Sequence, residues 1–513
     1  MILLRVESYK RGILISSALN VISKLFTFGY TVVIAYYFGT QVKTDIYFYV
    51  ISTFTFLALF FTAIDSSVLI VKAMEYREKV SKEMAMKFLN FFLYFFSLIC
   101  LVISFIIISF PIEIFSAFSR FELKLLSENR TVVLLSVPFF FLTVINTFLT
   151  DILFSYKFFT IPSIAGLINS IFILLFIILF HKSLDISSVL LGTIFANLLN
   201  LVLLCYLMKK QLGWSFKYEK TKIEKEVWKN IFFAQCGNLA TTLATYFPLF
   251  LLSGFNAGVI AALNYGKRIA DLPTTFITSQ FSTVVNIKFN ESYSKGNLEE
   301  LNNSYIRTIK LLLFIITPLA SISFIFSEEM ISILYSRGAF DSKAISVTAD
   351  FFKYFVIMLP FVCMDAISAR LYATTQTIKY SFIYQIIGNV LRIVLIYGGL
   401  KQYGYIGYPL AMLSVSILSI FIFYIYTLKL FPFIEYKRVL RYLLGIILFN
   451  LAISIGVKFA TSLFSNWYVI LGIGITLYFF LLLLLNHIFL INSDIKNFIL
   501  NLLLINKDGA NKS

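Results

Sequence analysis

The feature that most constrains this chain is a series of about fourteen apolar runs, each long enough to cross a bilayer. A helix needs about 20 residues to span the hydrocarbon core. In lipid the backbone must satisfy its own hydrogen bonds, so such runs have to be helices rather than open strands. Because 59% of the 513 residues are hydrophobic and 13% are charged, a soluble fold could not bury this apolar surface. We therefore predict an all-α polytopic membrane protein.

Charged segments separate the predicted spans into groups of six, six and two. The first six are 13–38, 46–71, 88–110, 132–154, 159–180 and 186–207. The next six are 231–252, 257–285, 309–326, 347–371, 381–400 and 407–428, followed by 443–464 and 468–490. The predicted domains are two six-helix lobes (1–208 and 230–430), a cytoplasmic linker (209–229), two additional helices (431–492) and a cytoplasmic tail (493–513).

The distribution of Lys and Arg predicts the orientation. If the N-terminus is cytoplasmic, the inner segments hold roughly 29 basic residues and the outer loops about 9. Both termini are therefore expected in the cytoplasm. The net charge of +17 then reflects topology rather than nucleic-acid binding. The four cysteines lack CxxC spacing and the two histidines have no metal-ligand partners, so we expect neither a metal nor a cofactor.

The stretch 264–273 places charges inside the predicted eighth span. Asn264, Arg268 and Asp271 share one helical face, and Lys267 can reach Asp271 at i+4. A charge at membrane depth costs about 2.5–3.5 kcal/mol on insertion scales, so such residues face a bundle interior or a water-filled path. Two interpretations remain open: an ion-pair cluster near an interface, or a cationic lining for an anionic ligand.

Three spans carry one-sided polar stripes. They are Asn20, Lys24, Thr27 and Thr31 in the first span; Gln235, Asn238, Thr242 and Thr245 in the seventh; and Ser381, Gln385, Gly388 and Arg392 in the eleventh. A single stripe fits a packing seam between membrane helices. The first and seventh spans each open a group of six, and this correspondence favours a transporter repeat with its cavity at the interface.

The remaining deep charges are interpreted by their neighbours. Asp65 and Asp151 lie near span ends, where a solvated or capping role is expected, and Asp350 should pair with Lys353 at i+3. Lys24 and Arg392 have no anion within a turn of their own helices. With Arg268, they are the strongest candidates for binding an anionic ligand.

Short motifs along the first twelve spans resemble one family. In chain order they are Ser23-Lys24, 35–39 with Thr44-Asp45, 158–162 with Asn169, 265–268 with Leu272-Pro273, 295–297, 337–340, 359–361 and 369–373. Together they are similar to the MurJ/MviN-type lipid II flippases of the multidrug/oligosaccharidyl-lipid/polysaccharide exporter superfamily. Their order and spacing, rather than any single motif, carry the resemblance.

The resemblance implies two six-helix bundles in a V-shaped arrangement around a cationic cavity, with the last two spans forming a groove for a lipid tail. It implies alternating-access transport of an undecaprenyl-pyrophosphate-linked peptidoglycan precursor across the inner membrane, where the protein is expected. Lys24 stands where the family has a first-span Arg, Asp45 where it has the second-span Asp, and Arg268 where it has the eighth-span Arg. The predicted substrate-binding residues are Lys24, Asp45, Lys267, Arg268, Asp271 and Arg392. We expect a monomer whose partners are the lipid-linked glycan and membrane lipids, driven by a coupling ion or the membrane potential.

Two departures keep other functions open. Tyr30-Thr31 replaces a charged pair of the family, and the apolar stretch 52–60 replaces its basic cluster. One alternative is a flippase for another undecaprenyl-linked unit, of O-antigen or capsule type. A drug/cation antiporter of the same superfamily would typically have twelve spans and an acidic site, whereas the deep charges here lean basic. A membrane glycan polymerase or ligase would need a large outer loop with catalytic residues, and the predicted outer loops are short.

Overall fold

The computed structural model describes residues 9–275, 279–464 and 467–489. Within those ranges the regular structure is helical and includes no strand. The predicted tail 493–513 lies outside the described residues, as does the short piece 276–278 within the predicted eighth span.

The helices of the first half follow the predicted spans closely. They are α1 (Tyr9–Phe38), α2 (Val42–Ile64), α3 (Ile70–Lys79), α4 (Lys82–Ser109), α5 (Pro111–Phe118), α6 (Leu123–Glu128), α7 (Arg130–Ser155), α8 (Ile161–Leu184) and α9 (Ser187–Leu212). A π-helical turn, Asp65–Leu69, joins α2 to α3. The predicted second span therefore contains an irregular turn that hydrophobicity alone did not reveal.

The second half continues the pattern. Its helices are α10 (Lys225–Leu252), α11 (Val259–Ala270), α12 (Ser279–Ser294), α13 (Leu298–Ile325), α14 (Ser327–Tyr335), α15 (Ser342–Thr374), α16 (Ile378–Tyr403), α17 (Gly407–Leu430), α18 (Tyr436–Thr461) and α19 (Trp467–Phe489). Within the predicted span 257–285, α11 ends at Ala270, Asp271 forms a turn, residues 272–275 are again helical, and α12 begins at Ser279. Pro273 lies near the start of the resumed helical residues, where a missing N–H is tolerated.

Eleven stretches of the described chain are long and apolar enough to cross a membrane. One of them, Lys379–Leu430, contains both α16 and α17. The predicted seventh span is not among the eleven, nor is the predicted eighth, of which residues 276–278 lie outside the described part of the chain. The all-α, polytopic membrane class is confirmed, and a count of fourteen spans is compatible with this structure.

The chain forms two compact units. The first comprises 1–265 and 337–344, and the second comprises 266–336 and 345–513. In the first unit, α2 packs against α7 and α10, while α8 packs against α1 and α9. Phenylalanines fill the α2–α4–α7 interface: the ring centroids of Phe54 and Phe140 lie 5.7 Å apart, and those of Phe96 and Phe148 lie 5.6 Å apart. Such aromatic pairs add packing energy beyond the area that they bury.

The second unit has its own core. Here α13 packs against α18, α16 against α17, and α18 against α19. Tyr305, Phe423 and Tyr436 are buried in this core, and the Tyr305 hydroxyl shares a 2.8 Å hydrogen bond with Ser368 Oγ. The predicted division of the chain into lobes separated by 209–229 remains a prediction.

Candidate substrate-binding site

Asp45 is held by backbone donors rather than left open. It lies in the first turn of α2 and is 3% exposed. Its Oδ2 accepts a 2.6 Å hydrogen bond from the Gly258 amide, and its Oδ1 accepts one of 2.7 Å from the Ala261 amide. The first N–H groups of a helix have no partner within the helix, and the helix dipole favours an anion there. Asp45 therefore caps the N-terminus of α11.

Other contacts surround this cap, and we call the set Gly39, Asp45, Gly258, Tyr265 and Ala339 the Asp45 clasp. The Tyr265 hydroxyl donates to Gly39 O at 3.1 Å, and the Ala339 amide donates to Tyr36 O at 2.8 Å. Gly258 has a φ of +95°, and a Cβ there would lie 2.6 Å from Thr40 O. Only glycine satisfies both conditions without strain. The family motif around Asp45 identified the carboxylate, but the two amides that it caps were not predictable from spacing.

Lys24 lies on α1, where the predicted stripe has two different environments. Asn20 and Lys24 are exposed, whereas Thr31 is fully buried. Thr27 Oγ1 shares a 2.9 Å hydrogen bond with Ser170 Oγ of α8. The Thr27–Thr31 portion is thus a packing seam, and the Asn20–Lys24 portion lies exposed outside it.

The charged residues at the end of α11 also differ in how exposed their side chains are. Lys267 and Asp271 are exposed, whereas Arg268 is half-buried and interacts electrostatically with the buried Tyr335. Gly266 lies against α15, since a Cβ there would be 2.9 Å from Thr348 O. This close approach holds the end of α11 on α15 and limits the positions that Arg268 can take.

Arg392 on α16 has an anionic neighbour that lies on another helix. It interacts electrostatically with Asp365 of α15, whose Oδ1 also accepts a 2.6 Å hydrogen bond from the Tyr384 hydroxyl. The Arg392 Nε is buried and has no hydrogen-bond partner. Arg392 therefore has an acidic residue of another helix within electrostatic reach, and its Nε retains donor capacity.

The predicted pair of Asp350 and Lys353 is confirmed. Lys353 Nζ lies 2.6 Å from Asp350 Oδ1, and the Tyr405 hydroxyl donates to Asp350 Oδ2 at 2.9 Å. With both carboxylate oxygens engaged, this pair has a structural role.

The expectation for Asp65 is wrong. Asp65 begins the π-helical turn and is 0% exposed, and neither carboxylate oxygen has a hydrogen-bond partner. It is neither solvated nor a cap through its side chain. The residue is buried because the π-helical turn and the packing of α2 against α7 and α10 enclose it. Such packing cannot be predicted from how close a residue lies to the end of a span in the sequence.

A cavity of about 790 Å³ opens in the second unit between α13, α15, α17 and α18. Its walls are largely apolar, and its lining includes Glu328, Glu329, Lys353 and Lys458. Of the two additional C-terminal helices, α18 contributes Ile447, Leu451 and Ile455. The cavity therefore combines apolar walls with charged residues, and its volume is within the range of small-molecule pockets.

The chain is similar in sequence to proteins of one family. A family model described as lipid II flippase MurJ matches residues 34–480. A probable lipid II flippase MurJ of Borreliella burgdorferi is 25% identical over 411 residues, covering 77% of this chain and 79% of that protein. One of Aquifex aeolicus is 25% identical over 451 residues, covering 85% and 86%.

Solved structures give the same result. A lipid II flippase MurJ in an inward closed conformation has a TM-score of 0.80 at 25% identity, covering 93% of this chain and 98% of that one. An inward-facing multidrug transporter of the MATE family has a TM-score of 0.63 at 12% identity, covering 80% and 97%, which shows a shared fold. Since the family model matches residues 34–480, the chain is an integral membrane protein of the lipid II flippase MurJ family.

Proposed function

We propose that this protein moves an undecaprenyl-pyrophosphate-linked peptidoglycan precursor, lipid II, across the inner membrane by alternating access. The observation that carries the proposal is the match of the MurJ family model over residues 34–480. Deep cations support it, because a pyrophosphate needs positive partners within the membrane.

In this proposal Lys24, Arg268 and Arg392 bind the anionic head group during the transport cycle. Lys24 is exposed, Arg268 is half-buried, and the Nε of Arg392 has no partner. A guanidinium can bind two phosphate oxygens in a bidentate manner, whereas an ammonium acts as a point charge. Lys267 and Asp271 tune the charge around Arg268, and Asp45 supports the site by capping α11.

A second candidate is transport of another undecaprenyl-linked unit, of O-antigen or capsule type. The observation that favours it is the loss of the family's charged pair at Tyr30-Thr31. Thr31 is fully buried and its hydroxyl donates to Thr27 O at 2.8 Å, so this position supports packing and offers no charge to a ligand.

Topology, energy source and oligomeric state complete the proposal. Both termini lie in the cytoplasm, the protein acts as a monomer in contact with membrane lipids, and a coupling ion or the membrane potential drives transport. The six-helix division of 1–208 and 230–430 provides the moving parts. The exposed Asn256 tests the topology, because Asn256→Cys should react with a membrane-impermeant thiol reagent in spheroplasts when the native cysteines are replaced.

Reconstituted vesicles test the transport proposal directly. Arg268→Ala and Lys24→Ala should each abolish lipid II translocation at an unchanged protein level, and Arg268→Lys should retain part of the activity. Lys124→Ala, a change of an exposed cation outside the proposed site, should leave the rate unchanged. An Arg268→Ala protein that moves lipid II at the normal rate would exclude this site.

Asp271→Ala separates the two interpretations of the cluster. If Arg268 serves the ligand, Asp271→Ala should reduce transport less than Arg268→Ala does at equal protein level. If the cluster is structural, loss of Asp271 leaves cations uncompensated and should lower the amount of folded protein as strongly as transport. Parallel assays with lipid II and with an O-antigen-type unit on the same carrier distinguish the two candidate substrates.

A further inference from the structure

Asp65 is a buried carboxyl group for which the transport site gives no role. It is 0% exposed, and both of its carboxylate oxygens are buried without a hydrogen-bond partner. It opens the π-helical turn Asp65–Leu69, an element that occurs in helices mostly as a single turn and frequently at functional sites. An ionised carboxylate enclosed in this way is unfavourable unless a positive charge accompanies it.

The neighbouring elements do not supply that charge. The turn packs against α3, α7 and α10, and the charged group that acts on Asp65 is a second carboxyl, Asp151 of α7. On α3, Lys72 is engaged by Glu75 at 3.1 Å and by Glu224 at 3.0 Å. The charged residues of α10, which are Lys225, Glu226 and Lys229, are exposed in its first two turns. On α2, Asp45 is held by the α11 amides.

The two carboxyl groups of Asp65 and Asp151 are better suited to bind a proton than a metal ion. Two carboxyl groups that interact electrostatically cannot both ionise cheaply, so one member of such a pair retains its proton. A metal ion needs more oxygen ligands, and the described residues contain no group of three or more His, Cys, Asp and Glu side chains that could hold one.

We propose that Asp65 and Asp151 form a proton-binding site that holds one proton when Asp65 is buried. On binding, the Asp65 carboxylate takes a proton from water and becomes a neutral carboxylic acid; on release the proton returns to water and Asp65 regains its negative charge. Lys72, two helical turns further along the chain, lies about 10 Å along the axis and is partly exposed, which marks the near aqueous side.

Proton release has a mechanical consequence. The charged Asp65 is repelled by Asp151 and attracted to water, so the π-helical turn is displaced from α7 and α10. The turn is thus an element with two arrangements, one for each protonation state, as a proton-linked step in transport requires. The coupling of proton release to transport depends on the proposed function, whereas the proton-binding site itself does not.

Infrared difference spectroscopy on the purified, membrane-reconstituted protein tests the site without measuring transport. The wild type should show the C=O stretch of a protonated, buried carboxyl group at neutral pH. Asp65→Asn, which preserves shape, should remove this band, and Asp151→Asn should shift it and lower the pH at which it disappears. Glu128→Gln, a change of an exposed carboxylate, should leave the band unchanged.

Two results would overturn the proposal: a wild-type spectrum without a protonated carboxyl band, or a band that is unaltered in both Asp65→Asn and Asp151→Asn. If Asp65→Asn does not fold, Asp151→Asn alone tests the proposal: its carboxyl band should disappear at a lower pH than the wild-type band. The rate of lipid II transport should be measured in about four steps of one pH unit, from pH 5 to 9. The rate should vary with pH in the wild type and should not vary with pH in Asp65→Asn. A flat wild-type profile with the infrared result intact would reject the coupling to transport and leave the proton site standing.

Discussion

Asp45 and Asp65 lie at opposite ends of the same stretch of helix, and both are buried, but their surroundings differ. Asp45 accepts hydrogen bonds from two backbone amides at 2.6 and 2.7 Å. Asp65 accepts none, and the charged group that acts on it is another carboxyl group, Asp151. One carboxylate stabilises a helix terminus, whereas the other requires a bound proton.

The comparison shows that burial alone does not define the role of an intramembrane acid. A carboxylate with matched donors behaves as part of the scaffold, because its desolvation is offset by charge-assisted hydrogen bonds. A carboxylate without donors is expensive in its charged form and is therefore suited to bind and release a proton. The same substitution at the two positions should consequently have opposite effects.

The largest effect is expected for Asp45→Leu. Two buried amides at the start of α11 lose their acceptor, and each unsatisfied group costs ~1–3 kcal/mol. The free energy of unfolding should therefore fall by about 4 kcal/mol. Thermal unfolding of the detergent-solubilised protein measures this loss. Asp45→Asn keeps one acceptor and should lose about half as much. An Asp45→Leu protein as stable as the wild type would show that the cap contributes nothing.

A smaller loss of stability is expected for Gly258→Ala, which tests how closely the backbone packs at Gly258 in the Asp45 clasp. Its φ of +95° and the nearby Thr40 O make any side chain strained, at a cost of about 2 kcal/mol. Gly213→Ala is the matched control, because Gly213 has a φ of +62° and open space around its Cβ position. The control should lose about 1 kcal/mol from backbone conformation alone. Equal losses would show that the contact with Thr40 is not tight.

The smallest effect, and the one of opposite sign, is expected for Asp65→Leu. Removing a buried polar group that has no partner should raise stability by about 1 kcal/mol, provided that leucine fits the same space. Thermal unfolding in the same detergent gives the comparison with Asp45→Leu. Asp65→Asn, which keeps an unpaired polar group, should remain near the wild type. A strong destabilisation by both changes would mean that Asp65 has a partner in the folded protein.

The candidate site was predictable only in part. The family motifs identified Asp45 and Arg268, and helical spacing identified the ion pair of Asp350 and Lys353, because these signals are local in sequence. The partner of Arg392 was not predictable, since Asp365 lies on a different helix, 27 positions earlier in the chain. The roles in substrate binding remain proposals for the transport assay to test; they concern Lys24, Asp45, Lys267, Arg268, Asp271 and Arg392.

The sequence by itself determined that this is a polytopic helical membrane protein, because a run of about 20 apolar residues has a single stable structure in lipid. It also determined the family, through motifs whose order persists along the chain. Only the tertiary structure decided which buried acids have partners. Asp45 reaches amides more than two hundred residues away in the chain, and Asp65 is enclosed by helices that offer no donor. Hydrogen bonds between distant segments depend on how helices pack, and the local composition that predicts a helix carries no information about them.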